Sequence, residues 1–410
     1  MNIILFDEPG LKSGLLPFTY IRPVAAIRIG ILKIYEKWET HFLDCGYETK
    51  ISYLTDAYLQ EKFSARLDDV NLYINGAVCP EKKLLQQILD LQEGEGLKAG
   101  KELIAYKTQS GFNSLEALLK SFYSNEVDFF ETDGSNILRN TWDIFTHNRR
   151  EIVADFELIT KNRQSAAITD PFTKVYSPEN VFVEEGASVK AAIINAENGP
   201  VYIGKNAAIH EGALVRGALA LCEDAQINMG AKIRGDNTFG PSCKIGGEVT
   251  NSVLFGYSNK GHDGYLGNAV IGEWCNLGAD TNSSNLKNNY STVKVWNYAE
   301  ETMVSTGLQF CGLMMGDHSK CGINTMFNTG TSVGVAAIIF GGGFPNKFVP
   351  SFTWGGIEQS ETFKIDKMYE LAENVLVRKG KAFTDIDKKI FEHVFEMTSK
   401  YRRTFDQNYK

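Results

Sequence analysis

The chain has 410 residues, 43% of them hydrophobic and 22% charged, so it is long enough for two domains and has an ordinary globular composition. Its net charge of −8 argues against nucleic acid or an anionic membrane as a partner. The amino terminus lacks signal-peptide features, and no apolar run approaches the roughly 18–20 residues of a membrane span, so we expect a cytoplasmic protein. Seven scattered cysteines without a CxxC pair predict buried free thiols rather than disulfides or a zinc site.

The amino-terminal third alternates between strand and helix patterns. Apolar runs predict strands over residues 2–6, Lys50–Thr55 and Val70–Asn75. Between them, a long helix is predicted over Pro23–Leu43 and a polar helix near Ala57–Arg66. This alternation is typical of a parallel sheet with helices on its faces. Ligands of such sheets bind at the carboxyl ends of the strands, here around residues 7–28 and 76–80.

The loop after the first strand is the first candidate phosphate site. Arg22, Arg28 and Lys33 cluster behind the predicted strand end, which suits a nucleoside triphosphate or a sugar phosphate. The loop contains neither G-x-G-x-x-G nor G-x-x-x-x-G-K-[ST]. Solvated arginines at the start of a surface helix therefore remain the alternative.

A large apolar residue recurs at every sixth position in the middle of the chain. Eight consecutive positions follow this rule: Ile203, Ile209, Val215, Leu221, Ile227, Ile233, Phe239 and Ile245. After a slip of two, the period resumes at Val253, misses at Asn259, continues through Tyr265, Ile271 and Leu277, and returns over 315–339. A period of six fits neither a helix nor a hairpin. It predicts short strands, three to a coil, whose large residues fill a triangular β-solenoid.

The carboxyl-terminal residues show helical spacing over Glu361–Lys379 and Thr384–Thr404. We expect these helices to cap the open end of the solenoid or to pack on a neighbour. The sequence thus predicts three parts: an α/β domain with a parallel sheet over 1–170, the β-solenoid over 171–350, and a helical segment over 351–410.

The hexad pattern resembles that of the hexapeptide-repeat, left-handed parallel β-helix proteins. This resemblance implies the left-handed turn, a homotrimer, and ligand sites in the grooves between neighbouring prisms. The first domain, with its Arg22-Pro23 loop and the segment Asn140-Thr141-Trp142-Asp143-Ile144 before the repeats, resembles the sugar-1-phosphate nucleotidyltransferases. It departs from them in two places. Phe18–Arg22 replaces their Gly-Thr-Arg loop, and Asn75–Pro80 lacks the acid that helps to hold magnesium, so Mg²⁺ in this domain stays open.

The stretch from Gly247 to Tyr290 carries the closest resemblance. It is similar to the acetyltransferase half of the bifunctional glucosamine-1-phosphate N-acetyltransferase/N-acetylglucosamine-1-phosphate uridyltransferases. That family's His-x-x-Tyr-Leu-Gly and Ile-Gly-x-x-x-Asn-Ile-Gly-Ala-Gly-Thr blocks are matched by His262, Tyr265, Leu266, Gly267, Ile271, Gly272, Asn276, Gly278, Ala279 and Thr281. Asp280 replaces a glycine, Ser284-Asn285-Leu286 stands where Cys-Asn-Tyr would be, and the family's phosphate-binding lysine has no clear match.

The resemblance implies acetyl-CoA as co-substrate and His262 as the catalytic base. Acyl transfer to an amine needs a group that accepts the amine proton, and histidine suits that task. Of six histidines, only His262 lies in a loop of small polar residues against the repeats. Arg234, in an Ile-Arg pair like the family's Leu-Arg, is expected to meet the sugar phosphate. The other candidate substrate contacts are Tyr265, Asn276, Asn285 and Lys287. The alternatives are a structural histidine at 262, a solvated groove charge for Arg234, a core ring for Tyr265 and plain surface for Asn285 and Lys287.

Three functions remain after this reading. The first is a transferase that acetylates an amino-sugar 1-phosphate with acetyl-CoA and carries a divergent nucleotidyltransferase domain. The second is a sugar-1-phosphate nucleotidyltransferase that uses a nucleoside triphosphate and whose β-helix serves oligomerisation. The third is a non-catalytic scaffold that binds sugar nucleotides. The sequence assigns no metal ligands.

Overall fold

The computed structural model describes residues 1–123, 127–134, 136–357 and 359–402. Contacts divide the chain into two compact units, Met1–Ile27 with Leu32–Asn140 and Arg28–Ile31 with Thr141–Lys410. The change of unit after Asn140 falls inside the Asn-Thr-Trp-Asp-Ile segment. The sequence-based boundaries at 170 and 350 divide the chain by pattern rather than by contacts, and they stay predictions. Residues 403–410, with the end of the last predicted helix, lie outside the described residues.

The first unit is built on a six-stranded sheet in the order β2-β1-β3-β5-β4-β6. In chain order its elements are β1 (Asn2–Phe6), α1 (Pro9–Gly14), α2 (Ile34–Asp44), β2 (Lys50–Leu54), β3 (Asn71–Asn75), α3 (Lys82–Asp90), β4 (Glu95–Ala99), β5 (Glu102–Thr108), α4 (Leu115–Tyr123) and β6 (Asp128–Glu131). The three strands predicted from the sequence match β1, β2 and β3 to within a residue.

The sheet of the first unit is mixed, whereas the sequence predicted a parallel one. Strand β1 runs parallel to β2 and β3, and Phe6 lies opposite Leu54 and Asn75, so three strand ends meet at one edge. Strand β5 is antiparallel to both β3 and β4. Only two residues separate β4 from β5, and the first, Gly100, has φ of +62°. So short a connection can join antiparallel strands only.

The predicted helix over Pro23–Leu43 is correct only in its second half. Val24–Ala26 forms a single 3₁₀ turn, and α2 begins at Ile34. The backbone N–H groups of Gly30 and Ile31 donate to the side chains of Asn148 and Asp155, both at 2.8 Å, so they make no helical bonds. Tertiary contacts have overridden the local pattern here. The helix predicted near Ala57–Arg66 is also wrong, because turns occupy the first part of that stretch and irregular chain the rest.

The second unit begins with two helices and continues as a long series of short strands. In chain order the elements are α5 (Asp143–Thr146), α6 (Asn148–Thr160), β7 (Lys174–Tyr176), β8 (Val181–Val183), β9 (Ser188–Val189), β10 (Ile193–Asn195), β11 (Val201–Ile203), β12 (Ala208–Ile209), β13 (Leu214–Arg216), β14 (Leu219–Leu221), β15 (Gln226–Ile227), β16 (Lys232–Arg234), β17 (Asn237–Phe239), β18 (Lys244–Ile245), β19 (Glu248–Thr250), β20 (Val253–Gly256), β21 (Asn259–Lys260), β22 (Tyr265–Gly267), β23 (Val270–Glu273), β24 (Asn276–Leu277), β25 (Asn282–Ser283), β26 (Lys294–Asn297), β27 (Thr302–Ser305), β28 (Met314–Met315), β29 (Lys320–Cys321), β30 (Met326–Phe327), β31 (Ser332–Val333), β32 (Ile338–Ile339), β33 (Phe348–Val349), β34 (Thr353–Gly355), β35 (Ser360–Thr362), α7 (Ile365–Val377) and α8 (Asp385–Met397).

Most of these strands form three long sheets, the faces of a left-handed parallel β-helix, while β25 pairs with β30 and β26 with β27 in two short sheets. The first face has the order β22-β19-β16-β13-β10-β7, the second β33-β31-β28-β23-β20-β17-β14-β11-β8, and the third β35-β34-β32-β29-β24-β21-β18-β15-β12-β9. Ile203 lies opposite Leu221, and Leu221 opposite Phe239, so one coil takes eighteen residues and each face takes six. All eight residues of the regular hexad belong to one buried cluster. This confirms the predicted solenoid.

Between Ile245 and Ile271 the interior register differs from the predicted one by a residue, and it returns to the predicted positions at Ile271 and Leu277. The side chains that continue the interior rows belong to Leu254, Lys260 and Leu266, not to Val253, Asn259 and Tyr265. Three connections are shorter than the regular six positions. The step from Ile245 to Val249, through the turn Gly246-Gly247, is four positions, and the steps from Val249 to Leu254 and from Leu266 to Ile271 are five each. A one-residue shift exchanges the interior and exterior sides of a strand.

The carboxyl-terminal helices pack on the last coils. The rings of Phe352 and Phe395 are 5.0 Å apart, and the buried Arg402 guanidinium donates to the carbonyls of Ser351 at 3.3 Å and Phe395 at 2.7 Å. Six cysteine side chains are buried and Cys45 is exposed. Among the residues that the structure describes, no helix has both the length and the apolar character needed to cross a bilayer.

Candidate functional site at one corner of the prism

His262 lies in the turn Gly261-His262-Asp263-Gly264, which joins β21 on the third face to β22 on the first. Its side chain is exposed, as is that of Asp263. Gly264 has φ of +110°, a value that favours glycine over any side chain. The turn therefore presents an imidazole to solvent at a corner of the prism.

Arg234 and Tyr265 share the first face. Lys232 lies opposite Glu248, and Glu248 opposite Tyr265, so Tyr265 is two strands above β16. With neighbouring strands about 4.8 Å apart, this separation is roughly 10 Å. The Arg234 guanidinium also donates to the Glu248 carboxylate at 2.6 Å. A phosphorylated molecule can span this distance along the face.

Tyr265 is half-buried and its hydroxyl is held in place. Asn285 donates from Nδ2 to the Tyr265 hydroxyl at 3.0 Å and to Asn268 Oδ1 at 2.7 Å. A Cβ at Gly267 would lie 2.3 Å from that hydroxyl and 2.7 Å from Asn285 Nδ2, so only glycine fits there. Burial raises the pKa of Tyr265, while the Asn285 hydrogen bond and the Arg234 charge oppose the rise. The phenol stays protonated and keeps its own hydrogen to donate.

The remaining predicted contacts in this region lie elsewhere. Asn276 is exposed on the third face, where its Oδ1 accepts from Asn259 Nδ2 at 3.4 Å. The Lys287 ammonium donates within its own loop, to the Ser291 hydroxyl at 3.4 Å and to the Thr292 carbonyl. The structure thus groups Arg234, Tyr265 and Asn285, sets His262 at the adjacent corner, and puts Asn276 around that corner.

Arg216 and Lys232 were not identified from the sequence. Val215 lies opposite Ile233, so Arg216 precedes Arg234 on the neighbouring strand at the same level of the face. Both arginines and Lys232 line a groove of about 630 Å³ on the first face. Among the described residues Arg216 forms no ion pair. The eighteen-residue spacing of the two arginines, each directly after a hexad position, was the signal that could have revealed this pair.

The structure divides the three basic residues of the amino-terminal loop between the units. Arg22 and Lys33 belong to the first unit, and Arg28 to the second. Arg22 is buried and donates to the Phe18 carbonyl at 3.3 Å, while Lys33 precedes α2. Arg28 is also buried, and its guanidinium donates to the carbonyls of Phe255 at 3.2 Å and Ile31.

Asp7 directly follows β1, at the strand ends where the sequence predicts a ligand site. Its two carboxylate oxygens accept hydrogen bonds from the Lys12 ammonium at 2.9 Å, the Thr55 hydroxyl at 2.5 Å and the Val24 N–H at 2.8 Å. A carboxylate so occupied by a cation and two donors does not fit a resident magnesium ion. Within the described residues, no group of three or more His, Cys, Asp or Glu side chains could hold a metal.

Fold and site together define a β-helix with an arginine-lined face and a histidine at its corner, in a chain that also carries an α/β unit. Residues 3–164, about two fifths of the chain, match a family model described as sugar nucleotidyl transferase. The match agrees with the resemblance of this part of the chain to the sugar-1-phosphate nucleotidyltransferases.

Curated relatives are bifunctional proteins. A "Bifunctional sugar-1-phosphate nucleotidylyltransferase/acetyltransferase" of Sulfurisphaera tokodaii is 35% identical over 108 residues, 26% of each chain. The "Bifunctional protein GlmU" is 36% identical over 87 residues in Methanocaldococcus jannaschii, 21% of each chain, and 29% identical over 129 residues in Synechococcus elongatus, 31% of this chain and 24% of that one. The matches span about a quarter of the relatives' length. The chain is similar to GlmU as a divergent relative.

Two solved structures overlap with the chain more loosely. The polySia-specific acetyltransferase NeuO is 15% identical with a TM-score of 0.25, covering 47% of this chain and 79% of that one. An Arabidopsis UDP-N-acetylglucosamine acyltransferase is 14% identical with a TM-score of 0.22, covering 57% and 93%. At such TM-scores neither likeness supports a conclusion about fold or function.

Proposed function

We propose that this protein is a transferase of sugar-nucleotide biosynthesis, and that its β-helix transfers the acetyl group of acetyl-CoA to the amine of an amino-sugar 1-phosphate. The observation that carries the proposal is the arrangement at one corner of the prism. An exposed histidine adjoins a face on which Tyr265, Asn285 and two arginines lie within reach of one small phosphorylated molecule. The names of the bifunctional relatives support the same pair of activities.

Each residue has a defined part in this reaction. His262 accepts the proton of the amine as its nitrogen attacks the thioester carbonyl. The new C–N bond forms, the C–S bond breaks, and the proton passes from the imidazole to the departing CoA sulfur. Tyr265 and Asn285 orient the sugar, and Arg234 with Arg216 binds its phosphate, a group that guanidinium donors match well. Asn276, on the third face, and Lys287, in the polar loop, are proposed as further contacts to the substrate.

A second candidate is nucleotidyl transfer by the first unit, favoured by the family match over residues 3–164. Arg22 and Lys33 are its proposed phosphate contacts, with a nucleoside triphosphate as substrate. Arg28 was predicted with them, but its guanidinium already donates to two carbonyls. The Asp7 carboxylate already accepts a hydrogen bond from the Lys12 ammonium and is a poor ligand for magnesium, so we expect nucleotidyl transfer to be weak.

The test separates the two reactions in one tube. The purified full chain is incubated with glucosamine 1-phosphate, acetyl-CoA, magnesium and UTP or dTTP, and free thiol and pyrophosphate are measured separately. Thiol release that requires the sugar phosphate supports the proposal. Pyrophosphate without thiol would select the second function instead, and neither product, with sugar-nucleotide binding retained, would indicate the non-catalytic scaffold.

We also propose that the chain assembles as a homotrimer. Tyr176, Ile193 and Leu214 lie on the first face with 43–46% of their surface exposed, and a second prism could cover them. Apolar exposure of this kind is typical of interaction surfaces. Sedimentation should give three times the 45.6 kDa monomer mass. A monomer at micromolar concentration would contradict the proposal.

A further inference from the structure

Lys260 is a lysine inside the β-helix. It lies on β21 opposite Ile245, one of the interior residues of the third face, and its side chain is fully buried. Almost every other residue of that interior is apolar. A buried ammonium costs free energy unless it is hydrogen-bonded, so its presence needs a compensating role.

The ammonium of Lys260 holds the turn that carries His262. It donates to the carbonyls of Gly246 at 3.3 Å, Asp263 at 3.1 Å and His262. An ammonium has three hydrogens, so these three acceptors use all of its donors. Two of the three belong to the turn Gly261–Gly264.

The regular coils close the same corner with backbone bonds. There, Gly230 N–H donates to the carbonyl of Glu211 in the coil before it at 3.0 Å. Among the hydrogen bonds of the described residues, the carbonyls of His262 and Asp263 accept from no backbone N–H. Gly247, in the coil before, leaves space for the His262 carbonyl, because a Cβ on Gly247 would lie 2.9 Å from that oxygen. Lys260 thus supplies donors that the irregular coil lacks.

We propose that Lys260 is a positioning residue, which fixes the His262 turn from inside the prism and so sets where the imidazole stands. The effect of Lys260 on catalysis rests on the proposed acetyl transfer by His262. Its role in holding the turn does not depend on that reaction. Burial lowers the pKa of Lys260 to about 8, and the facing groups Asp263, Asp280 and Cys321 oppose that fall. The charged state that donates three hydrogen bonds is therefore lost within an accessible pH range.

The first measurement compares Lys260→Met with Ile227→Met. Ile227 occupies the same interior row two coils before Lys260 and is equally buried, so the control changes the interior without touching the turn. We expect kcat of thiol release to fall by about 10²-fold in Lys260→Met, the size of effect that a misplaced reacting group causes. The KM values should change little, and Ile227→Met should keep kcat within about twofold.

Lys260→Gln keeps a side-chain donor but cannot titrate, and it tests the same role by pH. It should recover part of the rate lost in Lys260→Met. The wild-type rate should decline above about pH 8 as Lys260 loses its proton, and that decline should be absent in the Gln variant. A merely structural residue would not alter the pH profile. Identical profiles for wild type and Lys260→Gln would overturn the proposal.

A measurement without substrate separates this inference from the proposed function. In protein labelled at histidine, the imidazole resonances of His262 should shift in Lys260→Met and stay in place in Ile227→Met. If the wild type releases no thiol and the shift is still seen, acetyl transfer fails as a function while the positioning role stands. Unchanged His262 resonances together with unchanged kcat would refute the positioning role. If Lys260→Met does not fold, the same readouts on Lys260→Gln decide.

Discussion

The regular and the irregular coils of the β-helix differ in what their backbone does. Between Ile203 and Phe239 every coil takes eighteen residues and the interior is apolar. The corner carbonyls of Lys205, Glu211 and Glu223 each accept from an N–H of the next coil. From Phe239 onward, fifteen residues separate Phe239 from Leu254, seventeen separate Leu254 from Ile271, and forty-four separate Ile271 from Met315. The irregular coils hold His262, Tyr265, Asn285 and the buried Lys260. The regular coils thus form a support, and the residues proposed for the reaction lie where the period breaks.

The largest expected effect concerns a histidine from each region. His262→Ala should reduce acetyl transfer by roughly 10²–10⁴-fold, the range for a lost general base. His210 occupies the same corner of the prism in a regular coil, three coils earlier, and His210→Ala should leave the rate within about twofold. Thiol release is measured for both variants, with thermal unfolding as the check on folding. Equal rates in the two variants would remove His262 from the chemistry.

The regular coils should dominate stability instead. Ile227→Ala deletes a fully buried interior side chain and should lower the free energy of unfolding by about 2–5 kcal/mol. Urea unfolding measures the loss. Below the unfolding transition kcat should remain near that of the wild type, because the coil of Ile227 contributes no proposed reacting group. A large fall in kcat at unchanged stability would show that the regular coils do more than support the site.

Arg216 and Arg234 test whether a regular coil can also bind substrate. Each charge-assisted contact to the phosphate is worth about 1.5–3 kcal/mol, so Arg216→Ala should raise KM for the sugar phosphate roughly 10- to 150-fold with kcat much less affected. Arg163→Ala is the matched control, because Arg163 belongs to the same unit and pairs with Glu184 at 2.6 Å. Initial rates at varied sugar phosphate give both constants. An unchanged KM would confine the binding site to the irregular coils.

The smallest expected effect is the contribution of Lys260 to the pH dependence of the free energy of unfolding. The pKa of Lys260 falls from 10.5 in the unfolded chain to about 8 in the folded one, so unfolding takes up a proton between these values. The free energy of unfolding of the wild type should therefore rise with pH across this window, relative to Lys260→Met. Urea unfolding of both proteins at about pH 7 and about pH 10 measures the difference. A difference independent of pH would mean that Lys260 titrates normally.

The sequence alone was sufficient to predict the regular coils. Eight apolar residues at every sixth position can all point inward only if three short strands make one coil of eighteen residues. The sequence was insufficient where connections shortened. The steps from Ile245 to Val249 and from Val249 to Leu254 are together three residues shorter than in the regular coils, which puts Lys260 inside and Tyr265 outside, and no period could indicate this. The helix predicted through Arg28 failed because Asn148 and Asp155, more than a hundred residues later, take its N–H groups. Motif matching selected His262 and Tyr265, which the structure places in one turn and on the strand directly after it. It missed Arg216, whose proposed role depends on a neighbouring strand.

The excursion of Arg28–Ile31 into the second unit has a consequence for synthesis on the ribosome. The four residues belong by sequence to the start of the chain, yet their partners Asn148, Asp155 and Phe255 are made much later. Domains usually fold in order as they emerge. Here Gly30 and Ile31 must wait for partners that are translated 118 and 124 residues later, and Arg28 must wait for Phe255, which is 227 residues later. A fragment ending at Asn140 would never acquire those partners, so the two units cannot be separated by a single cut in the chain.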